Sequence, residues 1–346
     1  MKDAELVGAQ KTLSPVLKAK ALDNRLPDPI LGDRYAEEAM RRLDPDYDKR
    51  RFGTSQIGLA AVVRAKAHDD WARSFLADHP DAVVLHLGCG LDARVYRIDP
   101  PPTVDWYDLD YPNVIELRRE FLPPREHYTL IGANVTDLTW LDRVPHDRPA
   151  LMIAEGLVPY LTETEVRRLL TSVVDAFPSG QAQFDTVPVW AWRTSKWDPT
   201  LRKYGTRFHS GFNDPAAIAD WHPRLEYADE APMNDSPVLM AKAPANIRRI
   251  YRLMNLMPGM KRSTRIVRFR FGPRAGHPAE RLYDLPVHLQ GDARLLGPEG
   301  EQAGDLLDLR ERLRVGPDHV LGHVVTGLDR PVDGVTLERA VRRGRR

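Results

Sequence analysis

A chain of 346 residues with 50 Lys and Arg against 49 Asp and Glu carries a formal net charge of +1, which gives no general argument for a nucleic-acid or anionic partner. One cysteine excludes an intramolecular disulfide and a cysteine-based metal centre. The opening MKDAELVGAQ lacks the apolar centre of a signal peptide and no run approaches a membrane span, so a cytoplasmic protein without a membrane partner is expected.

Residues 1–80 read as charged helices. Lys11–Arg25 is followed by the turn Pro27-Asp28-Pro29, Tyr35–Leu43 is stopped by Asp44-Pro45, and Thr54–Asp78 is the third. Helices ahead of the first core strand either cover a cleft or pack on a sheet edge. From Val83 strand-like and helix-like runs alternate, which predicts a doubly wound parallel sheet. The strands are Val83–Leu87, Val104–Leu109, Tyr128–Gly132, Ala150–Ala154 and Ala182–Val187. Thr162 and Glu165 form a capping-box pattern before a helix with an apolar face of Val166, Leu169, Leu170, Val173 and Val174. The aromatic-rich stretch from Trp190 to Phe212 reads either as core or as a wall for a flat substrate. Asp214–Trp221 is a short helix, Arg224–Tyr227 a short strand and Ala245–Met257 a helix. Thr264–Phe271 then completes a seven-stranded sheet, with Arg265, Arg268 and Arg270 on its solvated face. From Gly272 the character changes, with a linker at Pro273–Pro278, a charged helix at Asp305–Arg314 and a basic end, ERAVRRGRR. Outside that end no basic patch is visible. The expected division is a helical cap at 1–80, a core at 81–272 and a C-terminal extension at 273–346.

The chain is organised around AVVLHLGCGLDAR, residues 82–94. A buried strand feeding a glycine turn lets backbone N–H groups at Gly88 and Gly90 approach a ligand where a Cβ would collide. A second strand ends at Asp110, where an acid can take two ribose hydroxyls at once. A nucleoside-bearing cofactor follows. Gly88-x-Gly90-x-x-Ala93 formally fits a dinucleotide site and hence an NAD(P)-dependent oxidoreductase, but Pro100-Pro101-Pro102 leaves fewer than ten residues for the helix after the loop. His86, inside the strand, reads as a core histidine, and Cys89 as a small buried side chain rather than a nucleophile.

LGCGLDARVYRI, DLDYPNVIELRRE and IAEGLVPYLTETEV, preceded by LKAKALDNRLPDPILGDRYAEEA, resemble the blocks of the leucine carboxyl methyltransferase family over about residues 10–272. Within it the chain looks most like the bacterial, tetracenomycin-type polyketide O-methyltransferases. The resemblance implies an α/β, Rossmann-like class I methyltransferase fold and S-adenosylmethionine (SAM) as cofactor. The implied reaction is methyl transfer to an oxygen of a small, polyketide-like acceptor, with a carboxylate favoured.

By the same resemblance Arg64 meets the SAM carboxylate, Gly88 and Gly90 form the cofactor loop, Asp110 holds the ribose and Glu155 lies near the amino group. In GANVTD, Asn134, followed by Val135, replaces the family acid that accepts from adenine, while Asp137 keeps a second acid. On the acceptor side Tyr160 is a candidate to orient the substrate. His209 is a candidate base if the acceptor is a phenol, whereas a carboxylate, already ionised, needs none. A catalytically weak SAM-binding or partner-binding protein is the remaining alternative, since Asn134 departs from the family pattern.

Overall fold

The computed structural model describes residues 13–44, 47–49 and 56–272. The expected extension at 273–346, with its linker and charged helix, lies outside the described residues, as does Thr54 at the head of the third expected helix. The five leading strands are β1 (Val83–Leu87), β2 (Asp105–Asp110), β3 (Tyr128–Gly132), β4 (Ala150–Ala154) and β5 (Gly180–Thr186). With β6 (Leu225–Pro232) and β7 (Arg265–Phe271) they form a seven-stranded sheet in the order β3-β2-β1-β4-β5-β7-β6. The first five run parallel, and β7 is antiparallel to both of its neighbours. β1 and β4 are buried at every position, which is why they read as unbroken apolar runs. The order reverses between β1 and β4, so a crevice opens at the carboxyl ends of these two strands.

Ahead of the sheet come α1 (Leu13–Asp23), α2 (Arg34–Leu43) and α3 (Gln56–Asp78). Within the sheet run α4 (Arg94–Ile98), α5 (Pro112–Phe121) and α6 (Glu163–Ala176), followed by α7 (Val189–Thr194), α8 (Pro199–Lys203), α9 (Pro237–Lys242) and α10 (Ala245–Met254). One face of the sheet is closed by α6 through Val166, Leu169, Leu170, Val173 and Val174, together with Trp140 and the stacked pair Phe184 and Phe269, 5.5 Å apart. The other face packs on α3 through Ala72, Phe75 and Leu76. Each such large apolar side chain contributes about 1.5–3 kcal/mol on burial. The capping box at Thr162 forms as the sequence predicts, with the Glu165 N–H donating to Thr162 Oγ1 and the Thr162 N–H to Glu165.

α1 packs against α2 through Leu17, Ala21, Ala36 and Met40. The buried Asp23 carboxylate accepts the N–H groups of Ile30, Leu31 and Gly32 at 2.7–3.1 Å and so pins the turn after the prolines.

The arginines of the last strand differ from expectation. β7 is an interior strand, flanked by β5 and β6, so only part of it meets solvent. Arg265 is buried and donates to the carbonyls of Phe212 and Asn213 at 2.7 and 2.8 Å. Arg268 is half-buried over the ring of Trp71 and pairs with Asp229. Arg270 alone stands on an exposed face.

Candidate active site

The turn after β1 places Gly88 and Gly90 in left-handed conformations, φ +63° and +52°. A Cβ on Gly90 would press on Leu13 Cδ2 of α1, so a side chain there requires the Leu13 tip to move as well as a strained φ. Asp110, at the end of β2, accepts the N–H of Gly90 and of Tyr111, both at 2.8 Å. Burial pushes its pKa up, and those two N–H groups oppose the rise. The loop is held from behind by Arg118 of α5, which is fully buried. Its guanidinium donates to the carbonyls of Gly90 and Asp92 at 2.9 and 2.7 Å and to the Asp108 carboxylate. Asp108 also takes the Trp106 indole N–H at 2.9 Å and the Tyr128 hydroxyl at 2.6 Å, and meets His86 Nδ1 at 2.7 Å. Burial alone would raise its pKa, but Arg118 and His86 draw it down to about 2.

Beside the loop lies a pool of buried charge. Glu155, just past β4, accepts from Arg64 Nε at 3.2 Å and from Arg94. Lys20 of α1 sits 3.0 Å from Asp92 and 4.0 Å from Glu155. Asp185 of β5 takes the Arg64 guanidinium at 3.3 Å and the N–H of Gly156. Arg97 ties Asp33, Asp69 and Asp92 together. Burial disfavours ionised Glu155, yet Lys20, Arg94 and Arg64 hold its carboxyl well below the usual range. His68 of α3 is buried beside this pool with neither ring nitrogen hydrogen-bonded, and desolvation lowers its pKa to about 3.

A cavity of about 880 Å³ connects these groups to an aromatic compartment. At the charged end it is lined by Lys20, Arg64, Gly88, Asp110, Glu155 and Asp185, and at the other by Tyr160, Trp190, Trp197, Phe208 and His209. Leu13, Val16, Leu17 and Lys20 of α1 face it, so the cap helix covers the crevice rather than only a sheet edge. Of the residues singled out in the sequence, Arg64, Gly88, Asp110, Val135, Glu155, Tyr160 and His209 all line this one cavity, and Gly90 borders it through its bond to Asp110. Asn134 does not reach it. Its side chain is exposed and its Oδ1 accepts the Thr136 N–H at 3.1 Å, closing its own turn. Cys89 is buried and burial pushes its thiol pKa well up, in keeping with an inert side chain. The aromatic stretch divides, for Trp190, Trp197 and Phe208 line the cavity whereas Phe212 packs in the core against Trp221.

Sequence reasoning missed Lys20, Asp92, Arg94, Arg118 and Asp185. Lys20 did leave a signal. Leu13, Val16, Leu17 and Lys20 follow the i, i+3, i+4, i+7 spacing of one helix face, and a lysine that closes an apolar stripe needs a buried acid to meet it.

The topology, the glycine loop and the acid at the end of β2 define a class I SAM-dependent methyltransferase. The residues fit that cofactor, since a glycine turn, an acid at the end of β2 and a guanidinium share one cavity with a cluster rich in acids. Helix α4, only five residues long, is not the long phosphate-facing helix of a dinucleotide site.

The chain belongs to the leucine carboxyl methyltransferase family, whose profile matches residues 9–174. It is 43% identical over 266 residues to the tetracenomycin polyketide synthesis O-methyltransferase TcmP of Streptomyces glaucescens, covering 77% of this chain and 98% of that protein. It is 33% identical over 244 residues to the SAM-dependent methyltransferase dpfgK of Gibberella zeae, covering 65% of this chain and 82% of that one. The protein is therefore a SAM-dependent methyltransferase. No helix among the described residues is long and apolar enough to cross a membrane.

Proposed function

We propose that this chain methylates a carboxylate oxygen of a small, flat, polyketide-like acid in the cytoplasm. The observation that carries the reading is the single cavity that joins the charged cofactor end to a compartment walled by Tyr160, Phe208, Trp190 and Trp197. Tyr160 and Phe208 meet edge to face at 5.5 Å, which leaves aromatic surface for a planar acceptor.

SAM supplies a methyl group already activated by its sulfonium. Asp110 is assigned to the ribose hydroxyls, Arg64 to the methionine carboxylate and Glu155 to the amino group, with Val135 on the cavity wall near the adenine end. A guanidinium suits the carboxylate because its N–H groups donate in parallel. Aligning the acceptor oxygen with the methyl and excluding water is then the remaining work of the protein. Tyr160, on the cavity wall, is assigned to orient the acceptor. His209 lies at the exposed rim with its ring making no hydrogen bond to any described residue. It is therefore available as a base for a phenol and superfluous for a carboxylate.

The test is transfer of labelled methyl from SAM to a panel of aromatic polyketide carboxylic acids and of phenols lacking the acid. An alkali-labile methyl ester formed only on the acids supports the reading. Alkali-stable ethers on the phenols, with turnover lost in His209→Ala, would replace the carboxylate by a phenol.

A further inference from the structure

The rim of the cavity carries a surface that sequence order conceals. Residues 189–209 hold five Lys or Arg and residues 236–263 hold six, against one acid, Asp198, in the two segments together. The two segments meet at the cavity mouth. Trp190 of α7, Leu201 of α8 and Trp197 between the two helices line it, as do Ser263 and Thr264, and a Cβ on Gly259 would stand 3.9 Å from the Trp190 indole nitrogen. Lys242, Lys261 and Arg262 are paired with Asp28, Asp235 and Glu230, but the other cations of the two segments have no ion pair among the described residues, so a basic patch stands outside the C-terminal end where none was expected.

Apolar side chains gather on the same rim. All but one of the large apolar side chains that stay exposed among the described residues lie on these segments, and the exception, Tyr111, lines the same cavity. α10 shows the pattern best. Ile247 and Tyr251 are buried against the cap helices. On the opposite side Leu253 is 60% exposed, and past the helix end Leu256 is 80% and Met257 52% exposed. Arg249 and Arg252 alternate with Ile250 and Leu253 there, exposed and without an ion pair among the described residues. Arg193, Arg202 and Arg207 are likewise exposed and unpaired.

The geometry points to peripheral docking of this rim on an anionic phospholipid surface, with the cavity mouth turned toward the bilayer. Protruding aliphatic side chains interleaved with guanidiniums match an interface in which the apolar tips enter the acyl boundary and the cations take lipid phosphates. Tryptophans at the mouth sit at the depth where an indole is most stable. A nucleic acid would have no use for the aliphatic tip of Leu253, Leu256 and Met257. An acidic protein would share the charge complementarity, but it would need a shaped apolar counterpart for a convex helix end. Docking stands apart from the acceptor reading, although a neutral methyl ester leaving an apolar cavity would pass readily into lipid.

Sedimentation with vesicles of pure phosphatidylcholine, of pure phosphatidylglycerol and of an equal mixture tests it, without cofactor or acceptor. Binding should require phosphatidylglycerol and fall as salt rises. Arg249→Glu with Arg252→Glu should weaken it on the order of a hundredfold. Leu253→Ser with Leu256→Ser and Met257→Ser should weaken it while leaving SAM binding in solution unchanged, since none of the three lines the cavity. Absence of wild-type binding to phosphatidylglycerol at low salt overturns the proposal, as does equal binding by all variants. A wild-type dimer that the serine variant splits, with no lipid binding by either, assigns the surface to a second copy of the chain instead.

Discussion

Arg118 is where fold and cofactor site are most tightly joined, and replacing it by methionine separates the two. The guanidinium and its partner Asp108 are both fully buried. Removing one member of a buried ion pair costs about 3–5 kcal/mol because the other charge is left behind. The Gly90 and Asp92 carbonyls lose their donor as well, at about 1 kcal/mol each at the low end. Asp108 keeps the Trp106 and Tyr128 donors, which favours the lower part of that sum. Arg118→Met should therefore lose about 5 kcal/mol, a large part of the roughly 5–15 kcal/mol that a native fold holds. Thermal unfolding should shift down by about 10–20 °C. Arg118→Lys keeps the charge but presents a point donor that cannot serve two carbonyls and a carboxylate together. It should fold, with KM for SAM raised about five- to twentyfold and kcat within about twofold, because the loop proposed to cradle the cofactor is loosened while the proposed acceptor compartment is untouched. Calorimetry with S-adenosylhomocysteine and steady-state kinetics on the lysine variant read this directly. A methionine variant that loses less than about 1 kcal/mol, or a lysine variant that lowers kcat with KM unchanged, would refute the positioning role.

Gly90→Ala should weaken S-adenosylhomocysteine binding by at least about tenfold, since the left-handed φ and the Leu13 contact both oppose a Cβ; unchanged binding by calorimetry would show that α1 yields freely. His68 has its pKa lowered to about 3 by burial, so the unfolded chain binds a proton that the folded one excludes between about pH 6.5 and 3. Stability should fall with pH across that window by up to about 1.4 kcal/mol per unit from this group. In His68→Leu urea unfolding should lose roughly 2 kcal/mol less between pH 7 and 5 than the wild type does, and parallel losses would remove the explanation. Asp185→Asn keeps an oxygen for the Gly156 N–H but deletes a negative charge from the cavity. It should weaken SAM on the order of tenfold more than S-adenosylhomocysteine, and equal weakening of the two would argue against a charge effect.

The sheet was legible because its strands are either apolar throughout, as β1 and β4 are, or end in turn residues that punctuate them. The glycine turn was legible where one residue sufficed, as at Gly88 and Gly90, whose type is tied to a left-handed backbone angle. What escaped depends on partners far apart in sequence. Lys20 meets Asp92 and Glu155 only because α1 folds back over the glycine turn. Arg265 reads as a solvated residue until β6, eight residues long where a short strand was expected, pairs with β7 and places it inside the sheet. Asn134 fits the family position, yet a short polar side chain two residues before a free N–H is as well suited to closing its own turn, and that bond forms. The basic rim is divided between two segments separated by neutral and acidic residues, so only the fold assembles it.

The buried charges around the cavity are not balanced, and the imbalance follows the chemistry. Among the described residues Lys20, Arg64, Arg94 and Arg97 are linked in one ionic network with Asp33, Asp69, Asp92, Glu155 and Asp185. Four cations face five acids, and Asp110 adds another acid at the cavity wall. An uncompensated carboxylate in a low-dielectric site is costly, and the pKa values of Asp185 and Asp110 are both pushed up by burial. A core selected for stability alone would not keep that surplus. Bound in this cavity as proposed, SAM, with a sulfonium, an ammonium and a carboxylate, would offset it with one net positive charge, whereas the neutral S-adenosylhomocysteine would not. Methyl transfer therefore removes the charge that the surplus acids attract, so the electrostatics that favour the reactive cofactor also weaken the hold on the spent one.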